Sequence, residues 1–405
     1  MSGRAGRRGY DSAGTVIFMA LPTSKTRRLL TASLATLRGN APYTTSFLLR
    51  LFDYVNGWKD QEKSITEAKE KFKKGKLVDT TDTLNTEVRI KAALTLLDNC
   101  FALYTKDEAK RAAFNRLLKY LTLFNVQLLR REQLLNAKCE LTGFAQVATA
   151  LSSFEPGNLV FVHILQKGEF HKLCKKYAEE PKKLQDTLIL ILAHIFTNKR
   201  LPISYDTGDD SNKPALKPMP DEFQTLVDEY NSNVDKLLLA FLQLATEKRH
   251  LQSPVFELTG KIKEDSLDTA HLDVVSPFDE DLILDEKLMP AAARTLYDHR
   301  GNKIQMNSYA YDFWKNGSKD DLIKINKLSQ LEYWYLIDNF SHVLIGIYSA
   351  LFDVSKQRDK LLDVMREIAD EYEDKFKKAF SMRSNIEETV TVEGKREKTK
   401  KWHRS

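Results

Sequence analysis

The apolar residues of this chain recur at the spacing that an α-helix places on one face. Residues three, four and seven positions apart are apolar in segments 90–101, 114–128, 221–248, 333–351 and 361–379. This spacing gives each helix an apolar side that must be buried against another element. The sequence therefore predicts a mainly α-helical protein that ends in a helical bundle.

The first residues of the chain carry the strongest indication of a binding function. Residues 2–9 combine Arg4, Arg7 and Arg8 with three glycines, so guanidinium groups stand on a backbone with few other side chains. This composition suits contact with phosphate groups. The apolar segment Thr15–Ala20 is rich in β-forming residues and predicts one buried strand. A flexible RNA-binding tail has a similar composition and is the alternative interpretation.

The same N-terminal residues resemble motif VI of superfamily 2 helicases, in which Gly-Arg-x-Gly-Arg precedes the last strands of the second RecA-like domain. The family's glutamine would fall just before Met1, so we expect the chain to begin inside the motif. The resemblance implies that Arg4 and Arg7 reach the phosphates of ATP. It also implies that Arg7 is the arginine finger, which stabilises charge on the transferring phosphoryl group. Whether Arg8 contacts nucleic acid or a backbone carbonyl stays open.

Other parts of an ATP site do not occur in the sequence. The phosphate-loop pattern Gly-x4-Gly-Lys-Ser/Thr has no match. Asp107–Lys110 comes nearest to a helicase metal box, but Thr105 and Glu108 form a capping box that predicts a helix start there. We therefore expect ATP and magnesium to bind only in an intact parent that supplies the N-terminal helicase half. This chain alone is expected to bind no cofactor and to hydrolyse no ATP.

A second set of informative segments comprises residues 44–52, 143–174, 307–313 and 332–336. They resemble the region after motif VI in Ski2-like helicases, namely the antiviral-type DExD/H-box RNA helicases of animals and their fungal relatives. The resemblance implies an ATP-dependent RNA helicase whose helical module lies beside single-stranded RNA. The expected organisation is a RecA-like α/β remnant at 1–38, a winged-helix-like unit at 39–155 with its wing around 139–142, a helical domain at 156–383 and a basic tail at 384–405.

The formal net charge of +6 is concentrated at the two ends, because residues 1–30 and residues 395–404 each carry +5. Basic ends can bind the phosphates of nucleic acid in a salt-dependent way, although the C-terminal run is equally compatible with a solvated end. Two alternatives to the helicase interpretation follow. One is a non-catalytic RNA-binding module, and the other is a helical protein-interaction scaffold.

Cysteine usage and hydropathy indicate an intracellular, cytoplasmic protein without a membrane partner. The three cysteines stand far apart and are expected to be reduced: Cys100, Cys139 and Cys174. Together with His163 and His171, Cys174 gives too sparse a pattern for zinc, so we expect core packing and no metal site. No secretory signal opens the chain. The apolar stretch Leu188–Phe196 is too short to cross a bilayer and predicts a buried helix.

Aromatic residues are concentrated between positions 309 and 335. They could stack single-stranded bases, but their helical spacing favours a role in the core. The members of this cluster are Tyr309, Tyr311, Phe313, Trp314, Tyr333, Trp334 and Tyr335.

Overall fold

A computed structural model describes residues 13–32, 44–55, several helical positions within 91–97, and residues 108–201, 213–247, 304–355 and 359–380. The chain divides into two compact units, Met1–Ala41 and Pro42–Ser405, which are described separately. Helices make up nearly all the regular structure of the described residues, as the apolar spacing predicts.

In the first unit, the described residues form a short helix, α1 (Thr23–Thr31), preceded by extended coil. The strand predicted at Thr15–Ala20 is wrong, because these residues form no ladder and Ile17 and Met19 are 83% and 85% exposed. A strand needs a neighbour to satisfy its backbone N–H and C=O groups, and the described residues of this unit supply none. β-propensity alone therefore does not produce a strand here, and the RecA-like remnant is not shown.

The second unit begins with α2 (residues 45–55) and α3, whose described positions lie within 91–97. The long helix α4 (Glu108–Arg131) follows and buries Leu121, Phe124 and Leu128 at the predicted spacing. An antiparallel bridge between Leu135 and Leu141 then precedes α5 (Ala145–Ala150). The bridge encloses a tight turn that overlaps the predicted position of the wing.

The turn within this bridge is organised by one asparagine. The Asn136 Oδ1 atom accepts hydrogen bonds from the backbone N–H groups of Lys138 and Glu140, at 2.8 and 2.9 Å. Its Nδ2 atom donates to the Glu140 carboxylate at 2.9 Å. Because asparagine readily bonds its own nearby backbone, it fixes this reversal of the chain without a longer sheet.

The rest of the second unit is helical, which confirms the predicted mainly α fold. A 3-10 turn (Ser152–Phe154) leads into a series of helices: α6 (Gly157–Gln166), α7 (Glu169–Lys176), α8 (Pro181–Phe196), α9 (Asp221–Glu247), α10 (Tyr309–Asn316), α11 (Lys319–Lys324), α12 (Gln330–Val354) and α13 (Lys360–Phe380).

These helices share one hydrophobic core with α4 and α5. Helix α9 packs on both α4 and α6, and α12 packs on both α5 and α13. The Phe124 ring of α4 meets the Phe241 ring of α9 edge to face, with their centroids 5.5 Å apart. The stretch Leu188–Phe196 lies in α8 with most of its side chains buried, as predicted. The residues on either side of the predicted boundary at 155/156 therefore belong to one packed body.

Trp314 fixes α10 between α8 and α13. Its ring is fully buried, and its Nε1 atom donates a hydrogen bond to Asp186 Oδ1 at 2.7 Å. The Nζ atoms of Lys182 and Lys375 lie 4.5 and 4.3 Å from the ring centroid. A tryptophan that is both hydrogen-bonded and flanked by cations is a specific packing element and is closed to bases.

The remaining aromatic residues of the cluster divide into three groups. Tyr309 and Phe313 are buried with Trp314, so core packing is confirmed for these three. Tyr311 and Tyr333 are partly buried against the core. Trp334 and Tyr335 are 40% and 59% exposed on α12, so the core prediction is wrong for these two.

Among the described helices, α12 alone is long and apolar enough to cross a membrane. The mean hydropathy of its most apolar part is 1.2, and 44% of that part is buried.

Candidate functional site

The residues predicted to contact ATP lie outside the described part of the structure. Arg4, Arg7 and Arg8 are all among residues 1–12, so their proposed contacts with phosphate and nucleic acid stay predictions. The capping residue Thr105 also lies outside the described residues, whereas Glu108 is the first residue of α4 and is placed in its first turn. The described residues instead bring together two other segments that carried the second resemblance.

Those segments meet at the N-terminus of α2, in an arrangement that we call the α2 clasp: Thr44, Thr45, Ser46, Asn125, Glu155 and Asn158. The Glu155 carboxylate accepts hydrogen bonds from the backbone N–H groups of Thr45 and Ser46, at 2.9 and 2.7 Å. Thr44 Oγ1 accepts the N–H of Phe47 at 3.1 Å, so Thr44 is the N-cap residue of α2. The first N–H groups of a helix have no partner within the helix, and the helix N-terminus carries partial positive charge. A carboxylate at this position accepts hydrogen bonds from those N–H groups and also balances the charge.

A second layer of hydrogen bonds lies beneath this cap and is buried. Asn158 Nδ2 donates to Ser46 Oγ and to the Ala148 carbonyl, both at 2.8 Å. Thr45 Oγ1 donates to Asn125 Oδ1 of α4 at 2.8 Å. The clasp therefore ties together α2, α4, α5 and the start of α6. Local spacing gives no signal for Glu155, because its two donors are about 110 residues away in sequence.

Gly157 lets the clasp segment approach α8. A Cβ atom at this position would lie 2.8 Å from the Ile195 carbonyl oxygen and 2.9 Å from the Phe196 ring. Such a distance to a backbone atom is shorter than real side chains tolerate, so the close packing requires glycine. The Glu155–Asn158 segment is thus held from both sides, by α2 and by the end of α8.

A groove of about 610 Å³ opens beside the clasp, between the Ser153–Gly157 segment, the end of α8 and α12. Its apolar surface includes Phe154, Phe196 and Phe340, and its polar groups include Asp338 and His342. No lysine or arginine is among its lining residues. This size falls in the range of ordinary ligand pockets, and its character is apolar and acidic.

His163, His171 and Cys174 lie in three separate environments. His163 Nδ1 lies 2.6 Å from Glu132 Oε2, and both side chains are buried. His171 Nε2 lies 2.9 Å from Asp359 Oδ2. Cys174 is buried, and desolvation raises the pKa of its thiol to about 11, so the thiolate is disfavoured at neutral pH. The core interpretation of Cys174 and His163 agrees with this placement.

The lysines of α6 to α8 are largely paired with carboxylates. Lys167 reaches Glu229 at 2.7 Å, and this hydrogen bond lowers the pKa of the Glu229 carboxyl. Similar pairs join Lys172 with Glu169, Lys176 with Glu222, Lys182 with Glu371, and Lys183 with Glu180. Paired charges of opposite sign produce little net electrostatic potential. The described surface of α6 to α8 therefore lacks the continuous patch of unpaired positive charge that favours phosphate binding.

Comparison with known proteins identifies the first module. Residues 37–149 match the family described as the DDX60-like winged helix domain. This range contains α2, α3, α4, the Leu135–Leu141 bridge and most of α5. The second unit is therefore a helical body that includes a winged-helix domain of this type.

The chain is related over most of its length to proteins named as helicases. It is 36% identical over 386 residues to an uncharacterized helicase of Caenorhabditis elegans, a match covering 95% of this chain and 22% of that protein. It is 29% identical over 417 residues to a human protein named probable ATP-dependent RNA helicase DDX60-like, with 93% and 23% covered. An uncharacterized helicase of Dictyostelium discoideum is 24% identical over 479 residues, with 86% and 25% covered.

The resemblance to a DExD/H-type helicase is thereby confirmed, and this chain is a relative of the DDX60-like helicases. It spans about a quarter of the length of these relatives. No solved structure matches the chain. The start inside motif VI stays a prediction, because the matching family domain begins at residue 37.

Proposed function

We propose that this chain is the C-terminal portion of an ATP-dependent RNA helicase and supplies it with motif VI arginines, a winged-helix module and a helical module. The observation that carries the proposal is the 36% identity to a protein named as a helicase over 95% of the chain. The proposed division is 1–38 for the RecA-like remnant, 39–155 for the winged-helix unit, 156–383 for the helical domain and 384–405 for the basic tail.

In this proposal Arg4 and Arg7 bind ATP phosphates, Arg7 is the arginine finger, and Arg8 contacts nucleic acid. Guanidinium groups fit phosphate oxygens because their planar fork donates two parallel hydrogen bonds. ATP supplies the phosphoryl group whose transfer to water drives the cycle. The chain has no phosphate-loop pattern, so the N-terminal helicase half would hold ATP and its magnesium ion, and this chain is not catalytic alone.

The proposed partner is single-stranded RNA. The protein is proposed to be cytoplasmic and to have no membrane partner. Support comes from the human relative, which is named as an RNA helicase, and from the +5 charge of residues 1–30. The helical module would lie beside the RNA path. Because the described lysines of α6 to α8 are paired, RNA contacts are proposed for the N-terminal arginines and not for those helices.

The test is ATP hydrolysis by the longest protein whose reading frame contains this chain, with and without single-stranded RNA. We expect Arg7→Ala to reduce the RNA-stimulated rate by a factor on the order of 1,000 while ATP binding changes little. Arg28→Ala on α1 is the matched control, and we expect it to retain the rate. Wild-type activity in Arg7→Ala would refute the finger assignment, and absence of any ATPase in that protein would refute the helicase assignment.

A scaffold function is the second candidate, and one observation favours it. Helix α12 exposes large apolar side chains along its outer face, which is typical of a surface that binds protein. If the chain at low salt binds neither single-stranded RNA nor DNA, the scaffold interpretation replaces the RNA-binding one.

A further inference from the structure

Helix α12 carries an unusual outer face, which we call the α12 stripe: Leu331, Trp334, Tyr335, Ile345 and Phe352. Leu331 is 78% exposed and Phe352 is 61% exposed, and the other three are also exposed. Residues 331, 335, 345 and 352 are separated by four, ten and seven positions and therefore share one side of the helix. Asp338 and His342 lie between Tyr335 and Ile345 on this side, so the face is apolar towards both ends and polar between them. Large exposed apolar side chains grouped in this way are typical of an interaction site.

The stripe and the groove beside the α2 clasp involve the same helix. Leu336, Asp338, Phe340 and His342 of α12 line the groove on the same helix that carries the stripe. Residues 330–354 contain no lysine or arginine, and their carboxylates are Glu332, Asp338 and Asp353. The combined surface is therefore apolar and acidic, which favours a segment that pairs an aromatic side chain with several positive charges.

The groove is lined by two carboxylates, Glu155 and Asp338. Glu155 binds the backbone of α2 with both oxygens. Asp338 lies 3.7 Å from the Nδ1 atom of His342, on the same helix. Glu332, nearer the start of α12, forms an ion pair with Lys199 Nζ. Of the two carboxylates that line the groove, Asp338 is thus the one positioned to receive an additional cation.

The chain contains a segment of the required chemistry. Residues 395–404 hold six lysines and arginines, with Trp402 among them. This segment follows α13, whose last residue, Phe380, places its ring centroid 5.4 Å from that of Tyr333 near the start of α12. The connection therefore leaves the folded body beside the stripe.

The length of the connection is sufficient to reach the groove. Asp338 lies five residues beyond Tyr333 along α12, a rise of about 8 Å. By random-coil scaling, a chain of the length that separates Phe380 from Trp402 would span about 26 Å on average. Because tethering also gives an effective concentration of about a millimolar, even a weak contact would be well populated.

We propose that the basic segment 395–404 of this chain docks on its own α12, with Trp402 in the groove and its lysine and arginine side chains around Asp338. The segment would cover the groove and the N-terminal part of the stripe. Docking in this manner makes the tail an internal ligand of the helical module, independent of the proposed helicase function.

The test is carbodiimide cross-linking of the full chain followed by mass spectrometry, because this reagent joins only carboxylates and amines in direct contact. We expect links from Asp338 to Lys398, Lys400 or Lys401 to exceed links from Asp353 at least fivefold. Asp353 is the matched control, since it lies on α12 about 22 Å further along the helix axis. A Trp402→Ala variant should lose most of the Asp338 links while its circular dichroism stays unchanged.

Mixing chains of two isotope labels distinguishes the occupants. Links within one label support the proposal, whereas links between labels would show that the tail of a second copy binds and would overturn it. Equal linking from Asp338 and Asp353, or tail links that survive Trp402→Ala, would also overturn it. The proposal would also be overturned if the tail amides were protected from hydrogen exchange only after single-stranded RNA is added.

Discussion

Replacing Glu155 with glutamine should destabilise the second unit by a predictable amount. The carboxylate accepts two backbone hydrogen bonds at the start of α2, from Thr45 at 2.9 Å and from Ser46 at 2.7 Å. Glutamine keeps one oxygen acceptor, but its amide nitrogen can only donate. Glu155→Gln therefore leaves one of the two N–H groups facing another donor, with almost no change in side-chain volume.

The magnitude follows from the energies of the contacts. A hydrogen bond to a charged group contributes about 1.5 to 3 kcal/mol when both partners are shielded from water. The charge at the helix N-terminus adds about 0.3 to 1 kcal/mol. Since the site is only partly buried, we expect Glu155→Gln to lower the free energy of unfolding by about 2 kcal/mol, towards the low end of these two ranges combined. Glu155→Ala, which removes both acceptors, should cost more.

Urea denaturation followed by far-ultraviolet circular dichroism measures this change. The matched control is Glu179→Gln, because Glu179 is exposed in the turn that follows α7. The control should shift the free energy of unfolding by less than about 0.5 kcal/mol. If the two variants shift the urea midpoint equally, with equal slopes, the carboxylate cap does not stabilise α2 and the reasoning fails.

Four further substitutions test other contacts of the second unit. Gly157→Ala should destabilise the protein by about 1 to 3 kcal/mol through overpacking against a backbone oxygen, measured by thermal melting. Gly346→Ala should cost less, because its new Cβ meets the end of a flexible leucine side chain at 3.1 Å. Asp186→Ala should cost about 1 to 3 kcal/mol by removing the acceptor of Trp314 Nε1, and a red shift in tryptophan emission would report exposure of that ring. Burial opposes ionisation of Asp359, but hydrogen bonds from a neighbouring histidine and the backbone hold its carboxyl pKa below the usual value. The stabilisation from the Asp359 carboxylate is present above its unfolded-state pKa and is lost as pH falls through its folded-state pKa. The Asp359→Asn variant has no such carboxylate, so its free energy of unfolding should fall less than that of wild type between pH 5 and 3. An equal loss in both proteins would contradict this assignment.

Helix positions in the second unit were predictable because apolar spacing is a local signal. Helices α4, α8, α9, α12 and α13 occur where the spacing placed them. Each buries a stripe that the sequence displays over several turns, so neighbouring residues carry the information. The Thr44 cap is a local feature of the same kind, since its acceptor and donor are three residues apart.

The Thr15–Ala20 segment shows where this approach fails. Its valine, isoleucine and phenylalanine favour strands, but strand formation depends on backbone partners that a local window does not contain. The described residues provide no such partner, and the segment is coil. β-propensity measures how well a residue suits a sheet, whereas strand formation also requires a neighbouring strand for the backbone to pair with.

The clasp was hidden for a related reason. Glu155 follows a phenylalanine and precedes a proline, a context that suggests a surface loop. Its role depends on two donors at the start of a helix about 110 residues earlier, and no periodicity links the two positions. Only the resemblance grouped these segments, because both fell within stretches similar to one helicase subfamily.

The clasp and the core together argue that the winged-helix domain does not act as an independent module. Its α2 is capped by Glu155, which lies beyond the matched range 37–149, and its α4 packs on α9, which begins at Asp221. The buried bond from Asn158 to Ser46 crosses the same boundary. Buried groups that hydrogen-bond to each other cannot separate without leaving unpaired donors and acceptors in a low-dielectric interior. The free-energy cost of separating the two parts is therefore much larger than for two surfaces that are already solvated. The winged-helix domain therefore forms one packed body with α6, α9 and α12.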